Sequence, residues 1–354
     1  MTENTIPSRT IARINIPGMN TLRFFLAVWV MIVHYPVFPQ VLNVGFEYAT
    51  LPNFNWLGWF YTHMVDPVPV FWALAGAVFA GAYPVGQNFS ISKFWIARVA
   101  RLYPLHILCL ILTVIAHRVL PKVTTVTFSN ENILSFIPHL LLISNWFVNI
   151  EGPFNGVTWS ISVELIAYVV YSVLRLVKVQ ISTILVLVIS GLCHIVTPSG
   201  AKLSPFICIW LFMLTNCLVH HFYVLNRNKY YTALVPIIFL CVCISVITPN
   251  YAIMVRPVGI VLVVIAIFSL LPERCDVKSL GDITYGLYLC HFLILEFMII
   301  GIRLLKLAGS IVLSPYFQLV YFSLVLGISF LLFKVLEEPA RKQSIRILSN
   351  IWAK

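Results

Sequence analysis

Four ionisable side chains lie inside stretches of the chain that are otherwise apolar: Arg23, His34, Glu164 and His291. A charged side chain inside the membrane costs free energy, so ionisable residues at that depth usually have a function. An imidazole beside a carboxylate can act as a general base, since the carboxylate orients one ring nitrogen and the other takes a proton from a hydroxyl. His34 and Glu164 are therefore catalytic candidates. A structural His–Glu bond, or for His34 an interhelical hydrogen bond, is the alternative.

The spacing along the first apolar stretch separates its two ionisable residues in depth. His34 follows Arg23 by eleven residues, which is roughly 16 Å along a helix. Arg23 is therefore predicted to be shallow and His34 deep. Glu164 follows the polar entry segment that starts at Asn155, and we expect it to reach the depth of His34. Taken alone, Arg23 is equally well explained as a snorkelling anchor.

Two further arginines, Arg98 and Arg101, are three residues apart and share a face on a helix. Guanidinium groups bind phosphate oxygens through paired hydrogen bonds, so these two residues with Arg23 could clamp a phosphorylated ligand. Basic residues also collect at the cytoplasmic ends of membrane helices for topological reasons. The pair is a candidate phosphate site, with a topological signal as the alternative.

A third polar pattern, Tyr285, Tyr288 and His291, repeats every three residues within an apolar run. This spacing places the three side chains on one helix face, which we expect to point into the bundle and away from lipid. The alternative is a polar seam between helices. Glu337 and Pro339 end the last apolar run. Taken alone, a simple helix stop at Pro339 would account for this pattern.

The elements that must position these residues are membrane helices. Hydrophobic residues make up 60% of the 354 and charged residues 10%, and the mean hydropathy is +0.95, far from an ordinary soluble domain. A spanning helix needs roughly 20 residues. The runs that fit are 22–38, 66–83, 102–120, 160–177, 181–197, 203–222, 231–248, 252–271, 283–302 and 315–336.

One more apolar segment, 133–148, contains Pro138 and His139 and leads into polar residues, which indicates a re-entrant or interfacial segment. Short cytoplasmic loops collect Lys and Arg. Ten spans with a cytoplasmic N-terminus put 17 of the 23 basic residues inside, whereas an eleventh span at 133–148 leaves 10 inside. The sequence predicts an all-α, polytopic membrane helical bundle of about ten transmembrane helices plus a re-entrant or interfacial segment. Both termini are expected to be cytoplasmic, with 119–158 over the outer mouth.

The composition also argues against other classes of protein. The formal net charge of +11 is spread over many short loops, so membrane orientation explains it and no nucleic acid is expected as a partner. The eight cysteines lie almost wholly in apolar runs and are predicted to be core residues, with no metal site. No small-residue cleavage site follows the first span, which is expected to remain on the protein. Residues 1–354 are predicted to form a single integral-membrane domain with its core at 20–342.

Five motifs, in order and over 20–342, resemble the membrane-bound acyltransferase family 3, whose members acylate, most often O-acetylate, glycans and related acceptors. The motifs are Arg-x10-His at Arg23 and His34, Arg-x-x-Arg before Leu-Tyr-Pro at Arg98 to Pro104, Trp-Ser-Leu-Ser-Val-Glu at Trp159 to Glu164 with Ile161 for Leu, Gly-x-x-Ser-Tyr-x-x-Tyr-x-x-His at Gly281 to His291 with Thr284 for Ser, and Glu-x-Pro at Glu337 to Pro339. Two places depart from the pattern. Asn20 stands where Asp is common, and the Ile-Ser-Gly-Phe element of the second span keeps only its glycine, Gly76.

This resemblance implies a glycan O-acyltransferase in the bacterial inner membrane, a multi-pass protein surrounded by lipids. Its acyl donor would be cytoplasmic acetyl-CoA. Its acceptor would be a hydroxyl of a cell-surface glycan or lipid-linked saccharide at the outer side, as in the modification of polysaccharide or lipopolysaccharide. The acceptor sugar and the acyl chain are not specified by the residues. No metal is implied.

The resemblance also implies roles for single residues. His34, oriented by Glu164, would deprotonate the acceptor hydroxyl or receive the acetyl group itself. The residues expected to hold the donor phosphates are Arg23, Arg98 and Arg101, and those expected to line the channel, contact the substrate or support an oxyanion are Trp159, Tyr285, Tyr288 and His291.

A polytopic transporter or flippase for a glycan-related substrate is the rival interpretation, because buried His, Glu and Arg also serve proton relays and substrate pathways. It would be favoured by inverted repeats and broken helices in corresponding halves, which the sequence does not show. A non-catalytic scaffold is disfavoured by the depth and clustering of the ionisable residues.

Overall fold

A computed structural model describes residues 14–63, 67–84, 88–119, 133–146, 154–177, 180–196, 205–225, 230–247 and 252–351, so the segment predicted to cover the outer mouth lies partly outside the described residues. The described residues form helices and turns without a β-strand, as predicted for an all-α fold. The α-helices are α1 Met19–His34, α2 Val37–Val41, α3 Phe54–Thr62, α4 Pro67–Ala82, α5 Ile91–Val119, α6 Ile133–Leu140, α7 Thr158–Val177, α8 Gln180–Val196, α9 Pro205–Leu218, α10 Tyr230–Ile247, α11 Ala252–Leu270, α12 Lys278–Leu304, α13 Pro315–Leu332 and α14 Glu338–Ile351.

Each of the ten predicted spans overlaps one of these helices. Fewer than ten of the described helices, however, are long and apolar enough to be candidate membrane spans. Within the described residues, six helical segments are long and apolar enough to cross a membrane, or up to seven if α3 and α4, bent by 72°, form one span. Two further apolar helices, Ile184–Ile195 and Pro205–His221, are shorter. The chain is a multi-pass membrane protein, and the predicted count of about ten spans is not confirmed.

The contacts divide the chain into two compact units. The α12 unit comprises Asn20–Val68, Ser92–Ile166 and Val277–Lys354, and the α9 unit comprises Met1–Met19, Pro69–Ile91 and Ala167–Asp276. All the residues singled out in the sequence as catalytic, phosphate-binding or substrate-binding belong to the α12 unit. The single-domain organisation remains a prediction.

Within the α12 unit, α1 packs closely along α12. A Cβ atom added to Gly281 would lie 2.8 Å from the Cβ of Asn20, so only glycine allows the helices to approach at this level. Further along, His34 meets His291. Because both contacts advance in the same direction along the two helices, α1 and α12 are parallel.

The other neighbours of α12 have directions that follow from contacts at successive levels. α5 is parallel to α12, whereas α7 and α13 are antiparallel to it. The contacts that show this are Tyr285–Leu102, Cys290–Cys109 and Glu296–His117 for α5, Leu289–Asn155 and Tyr288–Ser160 for α7, and His291–Tyr321 and Gly286–Ser329 for α13.

These directions discriminate between the two topologies weighed from the sequence. Helices that cross in the same direction differ by an even number of spans. In the ten-span order, α1, α5 and α12 are the first, third and ninth spans, and α7 and α13 are the fourth and tenth. The observed directions agree with that order. In the eleven-span order α12 would be the tenth span and would oppose α1 and α5, which it does not.

The α6 segment contacts α5 far from the end of that helix. The carbonyl oxygen of His139 accepts a hydrogen bond from Nε2 of His106 at 3.0 Å, and that of Leu141 accepts one from the Tyr103 hydroxyl at 3.0 Å. Since α5 ends at Val119, the chain has come back along α5 by roughly 20 Å. α6 itself is only about 12 Å long, too short to span. A segment that descends in this way and then leads into α7 has the geometry of a re-entrant segment.

A cap of short elements covers the His34 end of α1. The Tyr35 hydroxyl donates to the carbonyl oxygen of Val312 at 2.7 Å. Gln318 at the start of α13 accepts from the Asn53 amide at 2.8 Å and donates to the hydroxyl of Tyr61 in α3. These polar contacts tie α3 and the loop before α13 to the end of α1, and so hold His34 at a defined position.

In the α9 unit, α4 and α9 approach at Gly76. A Cβ atom there would overlap the carbonyl of Phe212, and the Asn216 amide donates to the Gly76 carbonyl oxygen at 3.0 Å. The glycine that the sequence retains in its second apolar run thus has a packing reason. Elsewhere in the unit, the Trp210 indole donates to the Met254 carbonyl oxygen at 3.0 Å and joins α9 to α11.

No helix stop occurs at Pro339, which was the simple alternative considered for the end of the last apolar run. The chain passes from α13 through a π-helical turn, Phe333–Glu337, directly into α14, which contains Pro339 in its first turn. Proline lacks an N–H and its ring crowds the carbonyl four residues earlier. A π turn widens the helix at this point, and the first turn of α14 tolerates the missing donor.

Candidate active site

His34 is the last residue of α1, and its ring is half-buried. Its Nδ1 atom lies 2.7 Å from the carbonyl oxygen of Val30, one turn earlier. A carbonyl oxygen only accepts hydrogen bonds, so Nδ1 carries the proton of the neutral ring and Nε2 carries the lone pair. That is the tautomer able to take a proton from a hydroxyl at Nε2. The backbone of α1 therefore sets His34 up as a base.

His291 faces His34 from the midpoint of α12 and is completely buried, with 0% exposure. Its Nδ1 lies 3.1 Å from the Leu287 carbonyl oxygen, so its Nε2 carries the lone pair by the same reasoning. That Nε2 lies 3.4 Å from Nδ1 of His34, and the ring centres are 5.0 Å apart. A lone pair directed at the His34 N–H stabilises the cation that forms when His34 accepts a proton.

Tyr288 joins the histidine pair to the first turn of α7, the helix that carries the predicted carboxylate. Its hydroxyl shares a hydrogen bond with Ser160 in that turn, and its ring centre lies 6.1 Å from that of His291. Glu164 is part-buried and lies one turn further along α7 than Ser160.

The bond that orients His34 in the structure comes from the Val30 carbonyl. Glu164 was predicted to have this role, and a direct contact between Glu164 and His34 remains a prediction. The entry to α7 is fixed on the same side, because the Asn155 amide donates to the Leu289 carbonyl oxygen at 3.0 Å.

The three polar residues of α12 are buried, as expected for side chains that point into the bundle, and each contacts a different neighbouring helix. Tyr285 donates to the Leu102 carbonyl oxygen of α5 at 2.7 Å, Tyr288 meets α7, and His291 meets α1. A spacing of three residues turns the side chain by about 60° each time, so three residues reach three neighbouring helices. Trp159, in the first turn of α7, is part-buried.

The three arginines of the predicted phosphate clamp lie toward the beginning of α12, away from the histidine pair at its middle. Arg23 is one turn from the contact of α1 with Gly281, and Arg101 precedes the residue that accepts the Tyr285 hydrogen bond. Arg98 is one turn earlier on α5. All three are part-buried. Guanidinium groups and imidazoles are therefore separated along the helix axes by roughly 10–16 Å.

The buried ionisable residues of this unit that received no functional role from the sequence include His117, Glu296 and Glu337. His117 of α5 and Glu296 of α12 form a buried imidazole–carboxylate pair, and Glu337 is a buried carboxylate at the far end of α13. The signal for the pair was available, because Glu296 interrupts an apolar run in the same way as Glu164 and His291.

Comparison with known proteins assigns the chain to a family. A family model described as an acyltransferase domain, that of acyltransferase family 3, matches residues 16–334. The chain belongs to acyltransferase family 3. The matched residues include the histidine pair and the arginines of the α12 unit. The resemblance inferred from five motifs is thereby confirmed, and the chain is a membrane acyltransferase.

A relative among characterised proteins is named "Acyltransferase MdmB", from Streptomyces mycarofaciens. It is 28% identical to this acyltransferase over 162 residues, a match that covers 45% of this chain and 38% of the relative. The match thus spans little more than a third of the relative's length. No solved structure matches the chain.

Proposed function

We propose that this acyltransferase transfers an acetyl group from cytoplasmic acetyl-CoA to a hydroxyl of a cell-surface glycan or lipid-linked saccharide at the outer side of the membrane. The observation that carries the proposal is the state of His34. Its Nδ1 is engaged by the Val30 carbonyl, and its Nε2 is left to act as a base. It lies level with the middle of α12, between the two ends of that helix.

The bond changes follow from this arrangement. Nε2 of His34 takes the proton of the acceptor hydroxyl as the hydroxyl oxygen attacks the thioester carbonyl. The carbon–sulfur bond breaks, and the protonated ring returns the proton to the departing thiolate. The products are an acetyl ester and free CoA. Transfer of the acetyl group first to Nε2 of His34 is the alternative order of steps.

His291 and Tyr288 assist without changing this balance. The His291 lone pair facing Nδ1 of His34 stabilises the imidazolium formed during the attack. The Tyr288 hydroxyl is buried beside the pair, where it shares a hydrogen bond with Ser160 and donates to the Val157 carbonyl oxygen at 3.4 Å. If its O–H turned from these acceptors toward the substrate, it would be a donor for the negative oxygen of a tetrahedral intermediate.

The donor side of the proposal depends on the arginines at the beginning of α12. Arg98 and Arg101 lie one turn apart on α5, and Arg23 lies on α1 at the same end of the unit. Guanidinium groups bind phosphate in a bidentate manner. Phosphates held there would leave the thin pantetheine arm to extend along the unit toward His34, which places the thioester next to its base.

The sidedness is part of the proposal. The helix directions in the α12 unit agree with the ten-span order, in which the arginines face the cytoplasm and both chain ends lie on that side. The basic residues of the sequence favour the same orientation. We propose the bacterial inner membrane as the location on these grounds.

Membranes that contain the protein, incubated with radiolabelled acetyl-CoA and a glycan extract, test this function. Label should enter the glycan fraction with the wild type and with His63→Ala, which changes a part-buried imidazole stacked on Trp59. It should be absent with His34→Ala at equal protein level. No glycan label with the wild type would favour a transporter or flippase. Normal labelling by His34→Ala would reduce His34 to a packing residue.

A further inference from the structure

His106 of α5 is a buried histidine to which the proposed mechanism gives no role. Its side chain is 1% exposed. It shares one face of α5 with Leu102, one turn before it, and with Cys109, one turn after it. Both of those residues contact α12, the first at Tyr285 and the second at Cys290. His106 therefore lies beside α12, in the layer between these two contacts.

This layer separates the arginines from the histidine pair. Arg101 directly precedes the lower contact on α5, and His291 directly follows the upper contact on α12. His106 comes five residues after Arg101, which is roughly 7.5 Å along the helix axis. A pantetheine arm that extends from the arginines to His34 has to cross the layer in which His106 lies.

One ring nitrogen of His106 holds the re-entrant segment. Nε2 lies 3.0 Å from the carbonyl oxygen of His139 in the last turn of α6. Because a carbonyl oxygen only accepts hydrogen bonds, Nε2 carries the proton of the neutral ring and Nδ1 carries the lone pair. The Tyr103 hydroxyl makes a second bond of this kind, to the Leu141 carbonyl oxygen. Both side chains thus tie α5 to the end of α6.

The other ring nitrogen of His106 is not used for this purpose. Nδ1 is buried and has no hydrogen-bond partner within the described part of the chain. A buried acceptor without a partner costs free energy. A side chain that served only to hold α6 would need a donor and no such acceptor. The lone pair therefore indicates a second role for His106, toward a group that brings a hydrogen-bond donor into this layer.

The chemistry of the lone pair selects one part of the acyl donor. Ionised phosphates and a thioester carbonyl only accept hydrogen bonds, whereas the pantetheine arm between them carries amide N–H groups. We infer that Nδ1 of His106 accepts a hydrogen bond from an amide N–H of the pantetheine arm and so binds the arm between the arginines and His34. This inference rests on the proposed function, since the arm belongs to acetyl-CoA.

Two replacements separate the ring nitrogens of His106. The amide nitrogen of glutamine takes the place of Nε2, so His106→Gln keeps the donor to His139 and removes the lone pair at Nδ1. The amide oxygen of asparagine takes the place of Nδ1, so His106→Asn keeps an acceptor there and loses the bond to α6. We expect His106→Gln to raise KM for acetyl-CoA about five- to tenfold, with the acceptor KM and the thermal unfolding temperature unchanged. His106→Asn should unfold at a lower temperature and keep the wild-type KM for acetyl-CoA.

An unchanged KM for acetyl-CoA in His106→Gln would overturn the inference. A rise in the acceptor KM alone would assign the lone pair to an acceptor hydroxyl and would overturn it as well. Tyr103→Phe is the matched control, because it removes a bond between α5 and α6 and leaves His106 in place. It should lower the stability and keep the KM for acetyl-CoA within about twofold. An equal rise of that KM in Tyr103→Phe and His106→Gln would show that loosening of α6 is the cause.

Inhibition by two parts of the donor locates the lost contact. Free CoA contains the pantetheine arm, whereas adenosine 3′,5′-bisphosphate contains phosphates and lacks the arm. In His106→Gln the inhibition constant of CoA should rise by the same factor as KM for acetyl-CoA, and that of the bisphosphate should stay at the wild-type value. An equal rise for both inhibitors would place His106 at the phosphates and contradict the inference.

The proposed function and this inference fail in different ways. If the wild type transfers no label from acetyl-CoA, the proposed function fails. If the wild type is active and His106→Gln has wild-type KM values, only the inference fails. Should His106→Gln not accumulate in membranes, His106→Asn decides the matter, since a KM for acetyl-CoA raised about fivefold or more in the folded variant would also overturn the inference.

Discussion

α12 takes part in two histidine contacts, which differ in the ring nitrogen that is hydrogen-bonded. His34 and His291 meet ring to ring, and the two contacts of the half-buried His34 ring both use Nδ1. Further along α12, His117 uses its Nε2 to bind Glu296, and both of those side chains are buried. In the first pair, Nε2 of His34 is the unprotonated nitrogen. In the second pair, Nε2 of His117 is bound by the Glu296 carboxylate.

The difference teaches that a histidine beside a carboxylate is not by itself the sign of a base in this protein. The His117–Glu296 pair has the composition that the sequence led us to expect at the active site, yet its carboxylate occupies the nitrogen that a substrate would need. At His34 a backbone carbonyl does the orienting and adds no charge. Four sets of substitutions break or sharpen this contrast.

The largest effect is expected from His34→Ala. Loss of a general base reduces kcat by about 10²–10⁴-fold, because the ring nitrogen that accepts the hydroxyl proton is removed. The measurement is acetyl transfer per mole of folded protein, with folding followed by size-exclusion profile in detergent. A variant that folds normally and retains more than a tenth of wild-type kcat would remove His34 from the mechanism.

His291→Ala and His291→Phe should have the next largest effect on kcat. A hydrogen bond to a charged group contributes about 1.5–3 kcal/mol, which corresponds to about ten- to a hundredfold in rate. Phenylalanine preserves a buried ring and removes the lone pair that faces His34. If His291 only fills space, His291→Phe will turn over like the wild type, in contrast to the expectation that both variants are slow.

A double replacement, Arg98→Gln with Arg101→Gln, should raise KM for acetyl-CoA by about tenfold or more, since two charge-assisted phosphate contacts are lost. KM for the acceptor should stay within about twofold. Arg303→Gln is the matched control, because Arg303 lies at the opposite end of α12 and donates to the Val41 carbonyl oxygen at 2.9 Å. Equal changes in both KM values would argue against a phosphate clamp.

The smallest effect on catalysis is expected at the second pair. His117→Ala leaves Glu296 without its imidazole partner, which should lower the stability by about 1–2 kcal/mol, as for polar contacts between membrane helices. Activity per folded molecule should remain within about twofold. Thermal unfolding in detergent and transfer kinetics on the same sample give both values. A hundredfold loss of kcat with normal stability would make this pair, too, part of the reaction.

The helices and their directions could be predicted from the sequence because apolar runs and basic residues report on membrane crossing directly. The count of spans could not be confirmed, since α8 and α9 have 17 and 14 residues, shorter than a spanning helix requires. The helix continues past Pro339, where a stop was the simple alternative, because a local rule for proline does not foresee a π turn just before it.

In the site, the position of His34 and His291 inside apolar runs indicated that both are important. It did not indicate that they are neighbours. Their contact depends on how α1 and α12 pack, and that is set by the close approach at Gly281. His117 was passed over as one polar residue near a helix end. Glu337 was interpreted as part of a helix stop, because burial of a carboxylate by neighbouring helices cannot be read from its own helix.

Histidine modification by diethyl pyrocarbonate, mapped by mass spectrometry with and without CoA, tests most directly whether the two pairs differ as described. The reagent attacks an unprotonated ring nitrogen. Nε2 of His34 should be modified in the absence of CoA and protected in its presence, while His117 should react slowly in both samples. Equal modification of the two histidines, or modification of His34 that CoA leaves unchanged, would contradict the assignment of His34 as the base of the acyltransferase.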